Sequence, residues 1–302
     1  MPLNVKIGDN IFSLATNVDL AVHPDFRGMG LSRKIRDLSN NMRVQAGIKT
    51  SYFITGNPIL IKSLSERDPR FPFHIVNLVR IKNIKRHFME MPVKNTWLMK
   101  LGYRLLKLMN KISYSSNPFR TADCDIRISD VDHFDDDIDD FWEEVSKHYD
   151  FIVERKRDYL NWRYCDTRTG DFVVKQAEED GRILGYVVLR INRYRNNYPV
   201  GYIVDLLTMP DRLDTADLLI KDSIKYFEEA NINLINGLVV KNHPHERVFN
   251  RHGFLNSRIK IHMFYRYVGN DLLSELGTSP ADRIFLSWGD HDVLPPSLPS
   301  YS

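Results

Sequence analysis

The chain has 302 residues, 43% of them hydrophobic and 27% charged, and a net charge of +3. That length can bury the cores of two ordinary domains, and so small a charge does not argue for nucleic acid as a partner. Cys124 and Cys165 share no CxxC spacing, which excludes a disulfide framework and a structural zinc site, and no apolar run approaches the roughly 18 residues of a membrane span. The N-terminus lacks a basic-then-apolar leader pattern, so a cytoplasmic location is expected.

Ile11 to Val22 reads as a strand whose run "VDLAV" is closed by Pro24, a residue that cannot continue a central ladder. From Leu31 the apolar positions Leu31, Ile35, Leu38 and Met42 recur at helical spacing, which predicts a helix starting close to Leu31. Between them lies Arg27-Gly28-Met29-Gly30-Leu31-Ser32. A glycine turn entering a helix presents backbone N–H groups at the positive end of the helix dipole, a setting suited to a pyrophosphate. Arg27, Arg33 and Lys34 add charge of the right sign. The same residues also serve as a plain tight turn. The loop lacks the Lys-Ser/Thr ending of a nucleotide P-loop, and Arg33 holds the place of the third glycine of GxGxxG.

Residues 80–120 are strongly basic, with Glu90 the one acid. Within them 95–112 is amphipathic, with Trp97, Leu98, Leu101, Leu105, Leu108 and Ile112 on one stripe and Lys100, Arg104, Lys107 and Lys111 on another face. Such a helix either makes peripheral contact with an anionic membrane or links two domains with solvated lysines. The acidic run "SDVDHFDDDIDDFWEE" (129–144) lacks the glycine and terminal glutamate of a calcium loop and is read as the charged start of a helix. "ERKRDYLNWRYCD" (154–166) is either the wall of an acceptor pocket or an aromatic core with a rim of arginines. His243, His245 and His252 have no companion carboxylate at ligand spacing, so no metal is expected.

The second half reads more completely. "DFVVKQAEEDGRILGYVVLRI" predicts two strands joined at Asp180-Gly181, followed by a strand in "VGYIVDLLTM" and a helix over 213–230. A strand in "INLINGLVV", a short helix in "HERVFNRHGF" and a closing strand in "RIKIHMFYRYV" complete it. This half repeats the first: "VDLLTMPDRLDTADLLIKDSI" (204–224) aligns without gaps on 18–38, and Asn57 falls almost at the spacing of Asn242. Where the first copy has Arg27-Gly28-Met29-Gly30, the second has Leu213-Asp214-Thr215-Ala216. Its carboxylates would repel a pyrophosphate and no glycine frees its backbone, so one cofactor site, in the first copy, is expected.

"VDLAVHPDFRGMGLSRKI" resembles motif A of the GNAT superfamily of N-acyltransferases, whose Arg/Gln-x-x-Gly-x-Gly/Ala loop binds the pyrophosphate of acetyl-CoA. Arg27 and Gly30 match its defined positions, with Ser32 in place of the usual Gly or Ala. The "NWRY" and "GDHD" segments extend the likeness over essentially the whole chain, to a tandem GNAT-type family associated with surface-polysaccharide biosynthesis. The resemblance implies an α/β (α+β) fold: two GNAT-like units in tandem, mixed mostly antiparallel sheets flanked by helices, the N-terminal copy incomplete. The expected divisions are a partial domain at 1–93, a linker helix at 94–120, a degenerate second domain at 121–268 and a C-terminal tail at 269–302. About three strands are missing before the motif-A strand. Either the natural protein starts earlier, the preferred reading, or the neighbouring domain completes the sheet.

The implied activity is acyl transfer from CoA, acetyl-CoA above all, to a small amine such as an amino sugar. The implied cofactor residues are Ala21, Val22, Arg27, Gly28, Met29, Gly30, Leu31, Ser32 and Asn57, the strand backbone at Ala21 and Val22 polarising the thioester. Asp19 is the candidate base, although Asp205 in the repeat argues equally for a structural carboxylate. Leu64 and Phe249 stand where the family carries a general-acid tyrosine, which leaves a non-catalytic acyl-CoA-binding or scaffold protein as the alternative.

Overall fold

The computed structural model describes residues 2–16, 22–90, 125–193 and 198–291. In the first half β1 (Pro2–Ile7) turns at Gly8 into β2 (Asn10–Thr16), and α1 (Leu31–Gln45) follows the glycine loop. β3 (Thr50–Thr55), α2 (Pro58–Ser65), β4 (Ile75–Ile81) and α3 (Ile84–Glu90) complete it. The amphipathic segment 95–112 lies outside the described residues.

The second half opens with β5 (Arg127–Val131) and α4 (Asp137–Val145). Ile138, Phe141, Trp142 and Val145 recur at i, i+3, i+4 and i+7 and are buried, while Asp137, Asp139 and Asp140 occupy the dipole-positive first turn. After β6 (Phe151–Val153), α5 (Arg157–Leu160) widens into a π-turn over Asn161–Cys165. β7 (Val173–Glu179) and β8 (Arg182–Asn192) meet at Asp180 and Gly181, both left-handed at φ 51° and 76°, the turn geometry that matches strand twist. β9 (Val200–Thr208), α6 (Leu213–Glu229), β10 (Leu234–Val240), α7 (Pro244–Arg251) and β11 (Leu255–Tyr267) follow, all close to the sequence reading.

The succession β1-β2-α1-β3-α2-β4 recurs as β8-β9-α6-β10-α7-β11. The recurrence extends to register. Among the described residues β2 and β3 pair in parallel at Leu14–Thr50, Ala15–Ser51 and Thr16–Tyr52, and β9 and β10 at Val200–Leu234, Gly201–Ile235 and Tyr202–Asn236. β9 and β10 part beyond those rungs, and β2 is described as far as Thr16. The remaining strand pairings are antiparallel, in one sheet ordered β5-β7-β8-β9-β10-β4-β11-β3-β2-β1-β6.

That order exchanges the last strand of each half. β4 pairs with β10 along its length, β11 pairs with β3 over His262–Tyr267, and β4 and β11 pair with each other at the centre. β6, from the second half, adds to the first-half edge through Val5–Val153, Lys6–Ile152 and Ile7–Phe151. The neighbouring half therefore extends the sheet of the first copy.

One hydrophobic core runs across both halves, from Leu3 and Tyr52 to Trp142, Tyr186 and Trp288. A second lies beneath α6 and α7, with Ala216, Leu219, Ile220, Phe227, Val248 and Phe249. α1 differs from α6: its predicted stripe is largely exposed, Ile35 at 49%, Leu38 at 62% and Met42 at 60%, and Arg43 is its one buried residue. Its apolar periodicity set the helix but not its burial. Residues 269–291, placed with the tail on sequence, pack through Leu273, Leu276, Ile284, Phe285, Leu286 and Trp288.

Candidate functional site

The described residues resume at Val22, ahead of the glycine loop. His23 caps a 3-10 turn over Pro24–Phe26, its Nδ1 accepting from the Asp25 N–H at 3.4 Å, and Arg27 Nε donates to the Val22 carbonyl at 3.4 Å. Gly28 and Gly30 then adopt φ 80° and 73°, left-handed values that a side chain would oppose, and Gly30 forms the N-cap of α1. The Gly30 carbonyl accepts from the Arg33 and Lys34 amides, both at 3.1 Å. Helix geometry leaves the Leu31 and Ser32 amides without an acceptor inside the helix. Arg27, Gly28, Met29, Gly30, Arg33 and Lys34 are exposed, Leu31 and Ser32 half-buried. A basic, accessible helix start of this kind can hold an anion.

Because β2 and β3 run parallel, the ends of both strands lie at one end of the sheet, the end where open α/β sheets bind ligands. Asn57 follows directly on β3, whereas residues 17–21, between β2 and Val22, lie outside the described residues. Asn57 Oδ1 accepts from the Ile59 and Leu60 amides at 2.9 and 3.4 Å, which makes it the N-cap of α2. Asp19 and Ala21 lie outside the described residues. Leu64, at the general-acid position, is buried on α2.

The second copy handles the same places differently. Arg212, where its loop enters α6, donates to Asp214 at 3.1 Å and to Glu179 at 2.8 Å, so ion pairs close the turn. The gap between β9 and β10 is filled as well. Ile284, Phe285, Leu286 and Ser287 line it with Ile203–Leu206, Leu238–Val240, His243, His245 and Phe249, and a cavity of about 10 Å³ remains. That is room for one water at most. His243 and His245 are buried there, burial holding both below the ordinary histidine range, His245 at about 4. Phe249 packs against Gly237 with no polar atom to offer.

Beside this filled wedge sits a buried ionic cluster. Arg155 donates to Asp205 through Nε at 3.1 Å and to Asp290 through Nη2 at 2.7 Å, with all three side chains at most 2% exposed. The Tyr164 and Tyr186 hydroxyls donate to Asp205 at 3.2 and 3.1 Å, and the Tyr52 hydroxyl donates to the Asp290 carbonyl at 2.9 Å. Burial pushes Asp290 upward against the pull of Arg155, and it holds the Tyr52, Tyr164 and Tyr186 hydroxyls well above the ordinary phenol. Burial also works against the Arg155 charge, but Asp205 and Asp290 hold it above its usual value.

One sequence expectation changes here. The arginines of 154–166 do not simply rim an aromatic core: Arg155 and Arg163 are buried within it, and only Arg157 reaches the surface. The "GDHD" carboxylate Asp290 is the partner of Arg155, a pairing hidden by a separation of 135 positions. The available signal was the recurrence of "VDL", since Asp205 is the carboxylate that both the "NWRY" tyrosine and Arg155 seek. Among the described residues no cluster of three or more metal-ligating side chains forms, and no helix is long and apolar enough to cross a membrane.

Residues 133–254 match the model of the acetyltransferase (GNAT) family, so the matched part is the second half. No curated protein matches the chain. Saccharomyces cerevisiae N-myristoyltransferase with bound myristoyl-CoA is similar in structure: TM-score 0.61 at 13% identity over 89% of this chain and 66% of that one. The same yeast enzyme with bound myristoyl-CoA and inhibitors gives 0.57 at 13% identity, over 88% and 63%. A conserved protein of unknown function from Enterococcus faecalis V583, described as a probable N-acyltransferase, gives 0.52 at 12% identity, over 88% and 57%. The chain spans between 57% and 66% of the length of these structures. Residues 133–254 thus match the GNAT acetyltransferase family model, and most of the chain shares the fold of these structures.

Proposed function

We propose that this chain is an acyl-CoA-dependent N-acyltransferase whose cofactor pyrophosphate rests on the Arg27–Ser32 loop of the first copy. The observation that carries the reading is the contrast between the copies. The first keeps two left-handed glycines, exposed cations and an open helix start, whereas the second has a turn closed by Arg212 and a wedge filled by its own chain. With acyl-CoA on the loop, the Leu31 and Ser32 amides and the helix dipole would face the pyrophosphate, and Arg27 and Arg33 would balance its charge. The thioester would then lie toward Val22. Transfer there requires a neutral amine, an oxyanion donor and a proton for the leaving thiolate. Acetyl is the acyl group that the motif suggests, and an amino sugar is the acceptor class suggested by the "NWRY" and "GDHD" resemblance. Asp19 and Asn57 are proposed as base and cofactor contact.

The test is acetyl-CoA binding by calorimetry on the wild type and on Gly30→Asp. An added Cβ at Gly30 meets nothing within 4 Å, so the variant changes charge and backbone preference without a clash. Binding should disappear in the variant while the fold survives. Ligand at about 100 times its dissociation constant should stabilise the wild type by roughly 2.7 kcal/mol. Unchanged binding in Gly30→Asp would remove the loop from the site. The burial of Leu64 and Phe249 at the general-acid positions favours one second reading, a non-catalytic acyl-CoA-binding protein. Binding without turnover across a panel of amines would select it.

A further inference from the structure

α1 turns its polar side to the protein and its apolar side to solvent. Leu31, Ile35, Leu38 and Met42 share one stripe of the helix, yet Ile35, Leu38 and Met42 are exposed. Ser32, Arg36 and Asn40 are half-buried and Arg43 is buried, a second stripe roughly a third of a turn round the axis. Arg43 Nη1 donates to the Ile48 carbonyl at 2.6 Å, tying the end of the helix to the lead-in of β3. α6 shows the ordinary arrangement. There Ala216, Leu219, Ile220 and Phe227 are buried, while Lys221 and Lys225 face water. Phe26 and Met29, in the loop that enters α1, are exposed as well. An apolar stripe left open on a helix docked by its polar side is a surface for another body.

We propose that this face of α1 seats on an anionic lipid bilayer, its apolar stripe entering the boundary between head groups and acyl chains. The inference goes beyond the functional reading and does not depend on it.

Charge selects the occupant. Residues 1–120 carry 20 Lys and Arg against 7 Asp and Glu, and residues 121–302 carry 22 against 32, so the chain divides into +13 and −10. The overall +3 conceals that division, and a charge asymmetry of this size points to a polyanionic or membrane partner. On and beside α1 the exposed cations Arg27, Arg33, Lys34 and Lys49 outnumber the exposed acids Asp25 and Asp37. A second copy docked through the same face would set these cations against their own counterparts, because a two-fold interface pairs a surface with itself. An acidic bilayer answers both features at once. Its head groups balance the cations, and its hydrocarbon takes the stripe. Gly30 caps α1, so the seated helix keeps the glycine loop at the bilayer surface.

Vesicle sedimentation of the full chain tests the proposal, with phosphatidylcholine vesicles and with vesicles that also hold phosphatidylserine. The wild type should bind the anionic vesicles, release them as salt rises and ignore the neutral ones. Leu38→Gln/Met42→Gln keeps the helix and every charge but removes half of the stripe, and should lower partitioning about tenfold or more. Both side chains are exposed, so its melting temperature in buffer should match the wild type. Trp162→Gln, which alters an exposed ring of the second half, should bind as the wild type does. No binding to anionic vesicles overturns the proposal, as does equal loss in Trp162→Gln. Binding that survives in the double variant overturns it too, since the lipid contact then lies elsewhere in the chain, 95–112 included. A wild-type dimer that the double variant returns to monomer would make the face an interface between copies instead. A chain that binds these vesicles but no acetyl-CoA would end the functional reading and leave the membrane surface in place.

Discussion

Arg155 keeps its charge where no water reaches it because two carboxylates hold it and the Phe285 ring lies against it. Removing one member would strand the others, a change of roughly 3–5 kcal/mol in comparable buried pairs. The histidines of the filled wedge make the opposite case, since they are buried neutral. His245 has a folded pKa of about 4 against an ordinary 6.5. Its contribution to stability is therefore complete above pH 6.5 and is lost as the pH falls toward 4, because the unfolded chain takes up the proton first. At full burial the loss is up to about 3 kcal/mol. His243 and His291 are shifted the same way by burial, while Asp290, raised by burial, works in the other direction. Urea melts between pH 7 and 4 should show stability falling through this window, and His245→Gln should flatten the slope; an equal slope in both proteins would contradict the assignment.

At the scale of elements, α6 and α7 owe their seats to missing side chains. A Cβ at Gly201 would stand 2.7 Å from the Phe227 ring, and one at Gly237 would stand 2.7 Å from the Phe249 ring. Rings locked in a core cannot swing aside as a lysine tip could. Gly237→Ala should cost about 1–3 kcal/mol by forcing α7 off the sheet, with the loss visible in the denaturant midpoint and no change in acetyl-CoA affinity. A midpoint within error of the wild type would mean that α7 shifts freely. The elements themselves were legible along the chain. Asp180-Gly181 announced its hairpin, the aspartates before Phe141 announced a helix start, and the "VDL" repeat announced two copies. The seating of a helix was not legible, because α1 and α6 both carry an apolar stripe and only α6 finds a sheet face to bury it.

At the scale of the molecule, the exchanged strands β4 and β11 forbid a clean division. β10 would lose its antiparallel partner without the first half, and β3 would lose its own without the second. Domains able to fold alone melt separately, whereas halves that close each other's sheets melt together. Calorimetry should therefore show one transition, with calorimetric and van't Hoff enthalpies in agreement. Two resolved transitions would mean that each half folds without the strand it receives.

The sequence by itself determined the local matters: where strands and helices fall, that the chain is built twice, and that one loop of the pair carries glycines and cations where the other carries carboxylates. These follow from spacing, glycine and charge, which act over a few residues. Tertiary structure decided that 284–287 fill the gap between β9 and β10, which carboxylates share Arg155, and that Tyr52 of one half reaches Asp290 of the other. Those are contacts between residues up to 238 positions apart, and no periodicity in the chain encodes them. They arise when the closing strands cross over and the segment after β11 turns back into the core.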